Sequence, residues 1–432
     1  MKNYNFVNST LLLISSFMSF DAAAKNIILM IGDGMGTSYL SALRYYQNAN
    51  SLTTTTTIFD SMGVGMIRTI PSGKFKITDS AAGGTALATG EKTVNGRIGI
   101  ATDMRPLESI LKIAKIKGMR TGVVVTSSIT DATPASFITT NESRNNHYEI
   151  AYSYIEAAMG NQPIFDVLLG GGRKYFEKNP IIKTELKSNK HFHYTNMFSE
   201  LNTDDSRPEI GVFSENGLPF AIDNRKPSLS AMTNYALQKL ENEDGFFLLV
   251  ESSQIDWCGH MNDIVCAVNE MKDFAETVKL VKQFVNEHAD SLVVITADHS
   301  TGGLTIGSER GKYWNPSVID KIHVSGDKIS KEIISSKNVT ATWLKYSDIS
   351  LNEQQWAEIK AYKQQKDQVK LRRYLNHLVS LTTNTGWTTE SHTGEDVPVF
   401  AYGEDALVFH GFYDNTEIGI KIKKLIMAHN LN

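Results

Sequence analysis

Short apolar runs alternate along the chain with longer stretches whose apolar residues recur every three or four positions. Runs of the first kind are typical of buried strands, and four are clear: Asn26–Ile31, Thr121–Thr126, Gly245–Val250 and Ser291–Thr296. The clearest stretch of the second kind, residues 265–288, predicts a helix that leads into the last of these strands. Because strands and helices alternate, we predict right-handed crossovers and an α/β fold, a three-layer sandwich around a mostly parallel central sheet.

Other patterns predict the remaining elements. Helices are expected at Thr37–Asn50, at Pro106–Gly118, which has proline at its start and glycine at its end, and at Asn415–His429. A further strand is expected at Val397–Tyr402. The segments Asp131–Pro134 and Gly170–Gly172 are interpreted as turns.

Each of the first four strands is followed by side chains that can bind metal ions. Parallel sheets bind ligands beyond the carboxyl ends of their strands, so we expect one multi-metal site. Asp256 and His260 would share one face of a helical turn and suit Zn²⁺, whereas Glu251 offers a hard oxygen for Mg²⁺. For each stretch taken alone, the alternative is a solvated polar loop. The candidate side chains are Asp33, Asp131, Thr133, Glu251, Asp256, His260, Asp298 and His299.

Two more residues have a structural and a functional interpretation. Ser80 precedes the alanine-rich stretch 81–89, which predicts a helix. A serine at that position is commonly only the helix cap. Alternatively it is a nucleophile whose phosphate ester would lie at the positive end of the helix dipole. Arg144 lies in a polar stretch and is either a surface residue or a bidentate clamp on phosphate.

Residues 307–387 interrupt the alternation of strands and helices. Within it, residues 353–379 are rich in Gln, Lys, Arg and Tyr and predict a mostly solvent-exposed helix. We interpret it as a cap-like insertion within a single domain that spans residues 25–432.

The first 24 residues have the pattern of a signal peptide. Lys2 is followed by the apolar run Leu11–Phe20 and by Ala22–Ala24, which fits a cleavage site after Ala24. The alternative, a membrane anchor, requires a longer apolar run. We therefore expect a periplasmic or secreted protein without stable membrane insertion.

Composition excludes few functions. The chain of 432 residues is 41% hydrophobic and has a formal net charge of -4, so it lacks the basic footprint of a nucleic-acid-binding protein. It has two cysteines, Cys258 and Cys266. Export makes a disulfide possible. In one continuous helix, however, residues eight positions apart would lie about 12 Å apart, beyond disulfide reach, which predicts two free thiols.

Six motifs together resemble one known family, the metal-dependent alkaline phosphatases, over nearly the whole length after the predicted signal peptide. Their order along the chain is also that of the family. The motifs are Ile31–Gly36, Thr78–Ala81, Asp131–Pro134, Glu251–His260, Thr296–His299 and His392–Gly394.

The resemblance implies a phosphate-monoester hydrolase of broad substrate range that acts through a phosphoserine and binds two zinc ions and one magnesium ion. It implies that Asp256, His260 and His392 hold the first zinc, that Asp33, Asp298 and His299 hold the second, and that Asp33, Thr133 and Glu251 hold magnesium. Ser80 would be the nucleophile, and Arg144 would bind two phosphate oxygens. We also expect a homodimer.

The sequence departs from the family at one pair of positions. Some bacterial members have Asp and Lys where this chain has Asp131 and Trp257. Asp131 keeps the ability to orient magnesium-bound water in the outer shell, whereas the positive charge is lost at Trp257. Within the superfamily the alternatives are a phosphodiesterase or a sulfatase. A non-catalytic metal-binding protein is an alternative of another class.

Overall fold

The computed structural model describes residues 25–49, 56–159, 164–188, 190–308 and 311–428. The predicted signal peptide, residues 1–24, lies outside the described residues. None of the described helices has the length and apolar content that a membrane crossing requires.

The described strands, in chain order, are β1 (Asn26–Gly32), β2 (Gly63–Arg68), β3 (Arg120–Ser128), β4 (Val167–Gly171), β5 (His193–Thr195), β6 (Glu209–Val212), β7 (Phe246–Ser252), β8 (Ser291–Thr296), β9 (Ser300–Thr301), β10 (Thr305–Ile306), β11 (Thr385–Gly386), β12 (His392–Thr393), β13 (Val397–Gly403) and β14 (Gly411–Asp414).

The α-helices are α1 (Thr37–Gln47), α2 (Ser80–Thr89), α3 (Ile110–Ile116), α4 (Ala132–Ile138), α5 (His147–Met159), α6 (Arg173–Glu177), α7 (Pro180–Ser188), α8 (Leu229–Leu240), α9 (Gln254–His260), α10 (Ile264–Glu287), α11 (Gly326–Ser335), α12 (Val339–Tyr346), α13 (Glu353–Gln365), α14 (Gln368–Thr383) and α15 (Thr416–Ala428). Short 3₁₀ helices cover Ile58–Ser61, Phe198–Glu200, Ala221–Asp223, Pro316–Lys321 and Ala406–Phe409.

The central sheet has 10 strands in the order β14-β2-β13-β8-β1-β7-β3-β4-β6-β5. The strands of this sheet are parallel except β13, which is antiparallel to both of its neighbours, β2 and β8. Strands β1, β3, β7 and β8 at its centre are almost wholly buried, as expected for a sheet covered on both faces. The predicted mostly parallel sheet is confirmed.

Helices cover both faces of this sheet. Successive side chains of a strand point to opposite faces, and two neighbours on β7 contact different helices. The ring of Phe246 lies 5.8 Å from that of Phe284 on α10, whereas the ring of Phe247 stacks at 6.2 Å on Phe137 of α4. Helices α10 and α4 therefore lie on opposite sides, and the predicted three-layer α/β sandwich is confirmed.

Two local predictions are wrong at their boundaries. Helix α3 begins at Ile110 and not at Pro106, because Pro106 forms an antiparallel bridge with Ile100, and Ser109 caps the helix by accepting from the backbone N–H of Lys112. The predicted turn after Asp131 is the first turn of α4, which Asp131 caps by accepting from the N–H of Ala132.

The predicted glycine turn at residues 170–172 is also wrong in part. Gly170 and Gly171 are the last residues of β4, and only Gly172, with φ of +100°, has left the strand. A side chain at Gly171 would meet the carbonyl oxygen of Asn216 at 2.1 Å, which explains why this strand end needs glycine.

The prediction of two free thiols is wrong, because Cys258 and Cys266 form a disulfide. The segment is not one continuous helix. Helix α9 ends at His260, Asn262 turns the chain with φ of +50°, and α10 begins at Ile264. This turn brings the two Cα atoms to 5.4 Å, within disulfide reach.

The segment between β10 and β11 contains α11 to α14. Its predicted exposed helix is two helices, α13 and α14, separated at Lys366, whose φ is +55°. Ile333, Trp343 and Leu371 of this segment are buried and belong to the same hydrophobic cluster as the strands of the sheet. The interpretation of the segment as a cap within a single domain stays a prediction.

Candidate active site

Three predicted ligand positions meet at one edge of the sheet. Strands β8, β1, β7 and β3 are adjacent and parallel. Ile31 of β1 is in register with Glu251 of β7 and with Thr296 of β8. Asp33 lies two residues after Ile31 and Asp298 two residues after Thr296, so both come to the edge that Glu251 already occupies.

His392 reaches the same edge because it precedes a strand that runs in the opposite direction. Because β13 is antiparallel to β8, its amino-terminal end lies where β8 has its carboxyl-terminal end. His392 lies just before β13, in β12, and pairs with Thr301 of β9, two residues after His299. The one antiparallel strand of the sheet thus delivers the last predicted ligand to the site.

Asp256, His260 and His392 form a first group suited to a metal ion. Nε2 of His260 lies 3.1 Å from Nε2 of His392 and 3.3 Å from Oδ2 of Asp256. The other ring nitrogen, Nδ1, lies 2.7 Å from the carbonyl oxygen of Glu390 in His260 and 2.9 Å from that of Thr78 in His392. These backbone contacts orient both rings with Nε2 toward the group, as in metal-binding histidines.

Asp33, Asp256 and His299 form a second group of possible ligand atoms, adjacent to the first. Nε2 of His299 lies 3.4 Å from Oδ1 of Asp33 and 3.3 Å from Oδ2 of Asp298. The rings of His299 and His392 stack with centroids 3.6 Å apart. Asp256 contributes to both groups, and Asp298 lies beside the second, so the candidate ligands of both predicted zinc ions converge.

Buried oxygens without hydrogen-bond partners lie beside the two groups. They are Oδ1 of Asp33, Oγ1 of Thr133, Oε2 of Glu251 and Oδ2 of Asp298. A buried polar atom without a partner is costly. A set made only of carboxylate and hydroxyl oxygens suits a hard cation such as Mg²⁺. The donor set therefore fits the predicted metals.

Ser80 is the first residue of α2 and lies next to the second group. Its Oγ is 3.1 Å from Nε2 of His299, and the residue is only 3% exposed. Asp79, and not Ser80, caps the helix, because its carboxylate accepts from the N–H of Ala82. The Ser80 hydroxyl therefore does not cap the helix, which was the structural interpretation of this residue.

Arg144 is held at the site by two carboxylates. Its Nη1 donates to Asp79 at 3.2 Å, and its Nη2 donates to Asp131 at 3.3 Å. Burial alone would lower the pKa of Arg144, but Asp131 and Asp79 raise it above the usual value, so the guanidinium stays charged. Asp79, which aligns this guanidinium, precedes Ser80 and so links the two predicted catalytic residues.

The carboxyl groups of the site repel one another in the metal-free protein. Burial first, and then the charge of Asp298, raise the pKa of Asp33 well above its usual value. Burial likewise raises the pKa of Glu251, and burial with the charge of Asp256 raises the pKa of Asp298 to about 7. The site thus has more negative groups than its own cations can neutralise.

The surroundings shift the pKa values of the three histidines in different directions. Burial alone would lower the pKa of His260, but its hydrogen bond to Asp256 and the charge of that carboxylate raise the pKa to about 9. Burial lowers the pKa of His299 well below its usual value and also lowers the pKa of His392. A neutral imidazole is the form that binds a metal ion.

Trp257 does not lie among the ligand atoms. It follows Asp256 on α9 and is half-buried, and its ring meets Phe220 edge-on at 6.4 Å. A side chain added at Gly217 would approach the ring to 2.4 Å, so the loop at residues 217–220 packs closely on it.

Three residues at the site were not singled out from the sequence. Asp79 aligns Arg144, Thr301 donates from Oγ1 to Asp256, and the backbone of Glu390 orients His260. Asp79 could have been found, because an Asp before an alanine-rich stretch is a helix-cap signal. A backbone contact such as that of Glu390 leaves no signal in the sequence.

Comparison with known proteins bears on this geometry. The family model for alkaline phosphatase matches residues 24–428. The chain belongs to the alkaline phosphatase family. The predicted family and enzyme class are thereby confirmed, and the fold is that of the same family.

Relatives of this alkaline phosphatase family member are similar over most of its length. Alkaline phosphatase 3 of Bacillus subtilis (strain 168) is 40% identical and aligns over 93% of this chain and 89% of its own. The crystal structure of a cold-active alkaline phosphatase from the psychrophile Shewanella sp. has a TM-score of 0.87 at 39% identity and covers 93% of this chain and 99% of its own.

A third relative contains a metal ion. A variant of the alkaline phosphatase from the Antarctic bacterium TAB5, 29% identical with a TM-score of 0.70, was solved with magnesium bound. It covers 94% of this chain and 99% of its own. Family and ligand groups together support a metal-dependent enzyme.

Proposed function

We propose that this protein hydrolyses phosphate monoesters of broad range through a phosphoserine at Ser80, with two zinc ions and one magnesium ion bound. Membership of the alkaline phosphatase family supports the activity. The observation that carries the mechanism is the position of Ser80, whose Oγ lies 3.1 Å from His299, inside the group of candidate ligands.

The candidate ligands divide among three metal ions as follows. Asp256, His260 and His392 would hold the first zinc, Asp33, Asp298 and His299 the second, and Asp33, Thr133 and Glu251 magnesium. Bound there, the cations would neutralise the dianionic ester and stabilise the entering and leaving oxygens of an in-line displacement. The partnerless oxygens of Asp33, Thr133, Glu251 and Asp298 support this division.

Ser80 supplies the nucleophile. A bond forms between its Oγ and phosphorus while the bond from phosphorus to the alcohol oxygen breaks. Ser80 releases its hydroxyl proton to solvent, and the departing alcohol takes one up from solvent. Water then attacks phosphorus and breaks the Oγ–P bond, which releases inorganic phosphate and restores Ser80. The N-terminal end of α2 favours the negative charge of the phosphoserine.

Arg144 binds the phosphoryl group. Asp79 and Asp131 each use one N–H of its Nη atoms, and the guanidinium has further N–H groups for two non-bridging oxygens. A monoester has three non-bridging oxygens, whereas a diester has only two and carries a lower negative charge. The arrangement therefore favours monoesters over the diesters that the superfamily also contains.

Export and dimerisation belong to the same proposal. The signal-like pattern of residues 1–24 and the disulfide between Cys258 and Cys266 support a periplasmic or secreted location, since disulfides persist in oxidising compartments. A homodimer is supported by the exposed Leu407, Val408 and Phe412, which lie on or next to the edge strand β14. Sedimentation of the purified protein checks the dimer.

The test of the mechanism is the variant Ser80→Ala. We expect hydrolysis of a phosphate monoester to fall on the order of 10³-fold or more, with metal content and unfolding temperature unchanged. Acid quenching with ³²P-labelled substrate should label the wild-type protein and not the variant.

Ser136→Ala is the matched control. Its hydroxyl is also buried and lies on α4, which packs on α2, but it donates to the carbonyl of Ala132. That variant should keep both activity and labelling. Full activity in Ser80→Ala, or a label retained on it, rules out Ser80 as the nucleophile.

A further inference from the structure

His260 is the least buried member of the first group of candidate ligands. Its side chain is 38% exposed, against 13% for His392 and 7% for Asp256. It is also the last residue of α9, a helix of only 7 residues, and helix ends fray unless other contacts hold them. Packing alone therefore does not fix this imidazole, and its position depends on the contacts of the residues around it.

The turn that follows His260 is joined to the end of α9. The N–H of Asp263 donates to the carbonyl oxygen of Cys258 at 3.0 Å. The disulfide between Cys258 and Cys266 connects α9 to α10 on the far side of the turn. A shift of this turn would therefore move the end of α9, and His260 with it.

Helix α14, from the segment between β10 and β11, holds this turn through one buried amide. Nδ2 of Asn376 donates at 2.8 Å to the carbonyl oxygen of Met261, the residue after His260. Asn376 is only 4% exposed. A side chain added at Gly326, the first residue of α11, would meet its Oδ1 at 1.8 Å. The amide is thus packed closely between two helices and gives Met261 a fixed partner.

Helix α11 of the same segment contacts the turn directly. The N–H of Gly326 donates to Oδ2 of Asp263 at 2.7 Å, and Oδ1 of this buried carboxylate accepts from the N–H of Cys266 at 3.0 Å. Asp263 therefore joins the start of α10 to the start of α11. The turn is fixed on one side by α10 and on the other by two helices of the segment between β10 and β11.

A second contact of α14 leads to His260 through Glu390. Arg373 lies three positions before Asn376, on the same face of the helix, and pairs with the carboxylate of Glu390. The carbonyl oxygen of Glu390 lies 2.7 Å from Nδ1 of His260. Because the side chain of Arg373 is 53% exposed, its ion pair contributes little. The buried hydrogen bond of Asn376 is the stronger of the two links.

We propose that Asn376 is a positioning residue for His260, so that the segment between β10 and β11 sets the metal affinity of the first group; this inference rests on the metal ligands of the proposed function. Removing the amide takes the donor away from Met261 and frees the turn. Loss of a group that orients a metal ligand commonly weakens metal binding 10–100-fold. The coupling is reciprocal, so a metal ion held by His260 stabilises α14 in turn.

The experiment measures the zinc content of the purified protein at a series of free zinc concentrations that a chelator sets. In Asn376→Ala, one equivalent of zinc should be lost at a free concentration roughly tenfold higher than in the wild type, while the other equivalent is retained. The visible spectrum of the cobalt(II)-loaded protein, which depends on ligand geometry, should also change. Zinc should slow amide hydrogen exchange in α14 of the wild type, and less so in the variant.

Gln368→Ala is the matched control. Its amide also lies on α14, but its Nε2 donates to Ser330 of α11 at 2.8 Å and does not contact the turn after α9. This variant should keep the zinc affinity and the cobalt spectrum of the wild type. Wild-type zinc affinity in Asn376→Ala, or an equal loss in both variants, would show that Asn376 is merely structural and would overturn the proposal.

A double variant tests whether the effect passes through His260. His260→Ala should already lack the first zinc, so adding Asn376→Ala should not lower the zinc content further. A further loss, at the second group, would show that the whole site has loosened and would overturn the proposal.

These readouts separate the proposal from the proposed function, because none of them requires hydrolysis. If the wild type hydrolyses monoesters and Asn376→Ala binds zinc normally, the positioning role is wrong and the function stands. If no monoester is hydrolysed but one zinc equivalent depends on both Asn376 and His260, the phosphatase mechanism fails and the positioning role stands.

Discussion

Two polar clusters lie close together in the interior of this protein. In one of them the side chains hydrogen-bond one another, whereas in the other several buried oxygens have no partner. The Arg225 cluster, made of Arg225, Gln254, Glu270 and Asp273, is closed. Arg225 donates to Glu270 at 2.6 and 2.7 Å, to Asp273 at 2.8 Å and to Gln254 at 2.7 Å. In the active site, by contrast, buried oxygens of four side chains have no hydrogen-bond partner.

The difference separates a structural cluster from a site that needs a ligand. A buried guanidinium compensates the carboxylates of the Arg225 cluster. Burial raises the pKa values of Glu270 and Asp273 there, but the charge of Arg225 opposes that shift. In the active site, burial and neighbouring carboxylates together raise the pKa values of Asp33, Glu251 and Asp298. Gln254 belongs to the first cluster and Asp256, two residues later on α9, to the second. Helix α9 therefore carries a residue of the closed cluster and a candidate ligand of the open one two positions apart.

Within this comparison, the largest effect is expected from removing a candidate ligand of the open site. His260→Ala should lose the first zinc ion and reduce activity on the order of 10²-fold or more, because one of three protein ligands is removed. Zinc is measured by elemental analysis and activity with an aryl phosphate. His323→Ala, an exposed histidine paired with Asp348, is the control and should change neither. Unchanged zinc content in His260→Ala would remove this residue from the site.

The closed cluster should behave in the opposite way. Arg225→Ala leaves the buried carboxylate of Glu270 and the half-buried carboxylate of Asp273 without their cation, so the free energy of unfolding should fall by about 3–5 kcal/mol. Activity per folded molecule and zinc content should stay near wild type. Chemical denaturation measures the loss, and Lys279→Ala, which breaks an exposed pair with Glu276, should cost less than about 1 kcal/mol. Equal stability in the two variants would contradict the contrast.

The pH dependence of the chelated protein sharpens the comparison. Burial raises the pKa of Asp298 to about 7, against about 4 for an unfolded Asp. The folded state then holds a proton that the unfolded state has released, so this stability is complete below about pH 4 and is lost as the pH rises toward 7. The unfolding temperature of the chelated protein should fall between about pH 4 and about pH 7.

Asp298→Asn provides the control for this measurement. Without the titrating carboxyl, the chelated variant should lose less of its unfolding temperature over the same pH range than the wild type. Added zinc and magnesium should make the unfolding temperature of the wild type less dependent on pH, because the cations replace the proton on Asp298. A chelated wild-type profile that rises over this range would contradict the argument.

The smallest effect is expected at Trp257. Lys at this position would add a positive charge near bound phosphate, and the carboxylate of Asp131 would neutralise part of that charge. We expect Trp257→Lys to bind inorganic phosphate several-fold more tightly and to turn over more slowly, since tightening product and transition state alike does not speed a reaction limited by release. Phosphate inhibition and unfolding temperature are measured together. Weaker inhibition in a normally folded variant would contradict the prediction.

The sequence predicted the sheet and the convergence of most candidate ligand positions for one physical reason. A buried parallel strand must be apolar throughout, so the runs that end near Asp33, Glu251 and Asp298 stand out from their polar surroundings. His392 has no such strand before it. Its place rested on the resemblance to the alkaline phosphatases, and the structure explains it by the antiparallel direction of β13.

What the sequence could not predict depends on the path of the chain between elements. The disulfide was missed because one residue, Asn262, turns the chain back between two helices that had been interpreted as one. The Arg225 cluster was missed because Arg225 and Glu270 are 45 positions apart and share no element. No local pattern marks such a pair.

The two short strand pairs at the base of the insertion have a consequence for chain length. Thr305 and Ile306 of β10 pair with β11, and His392 of β12 pairs with β9. The two ends of the segment are therefore held side by side by the backbone itself, whatever lies between them. Each doubling of a closed loop costs only about 0.6 kcal/mol of entropy. We therefore expect the segment between β10 and β11 to change in length at little cost in loop entropy, while the pairing of β9 with β12 keeps His392 in place.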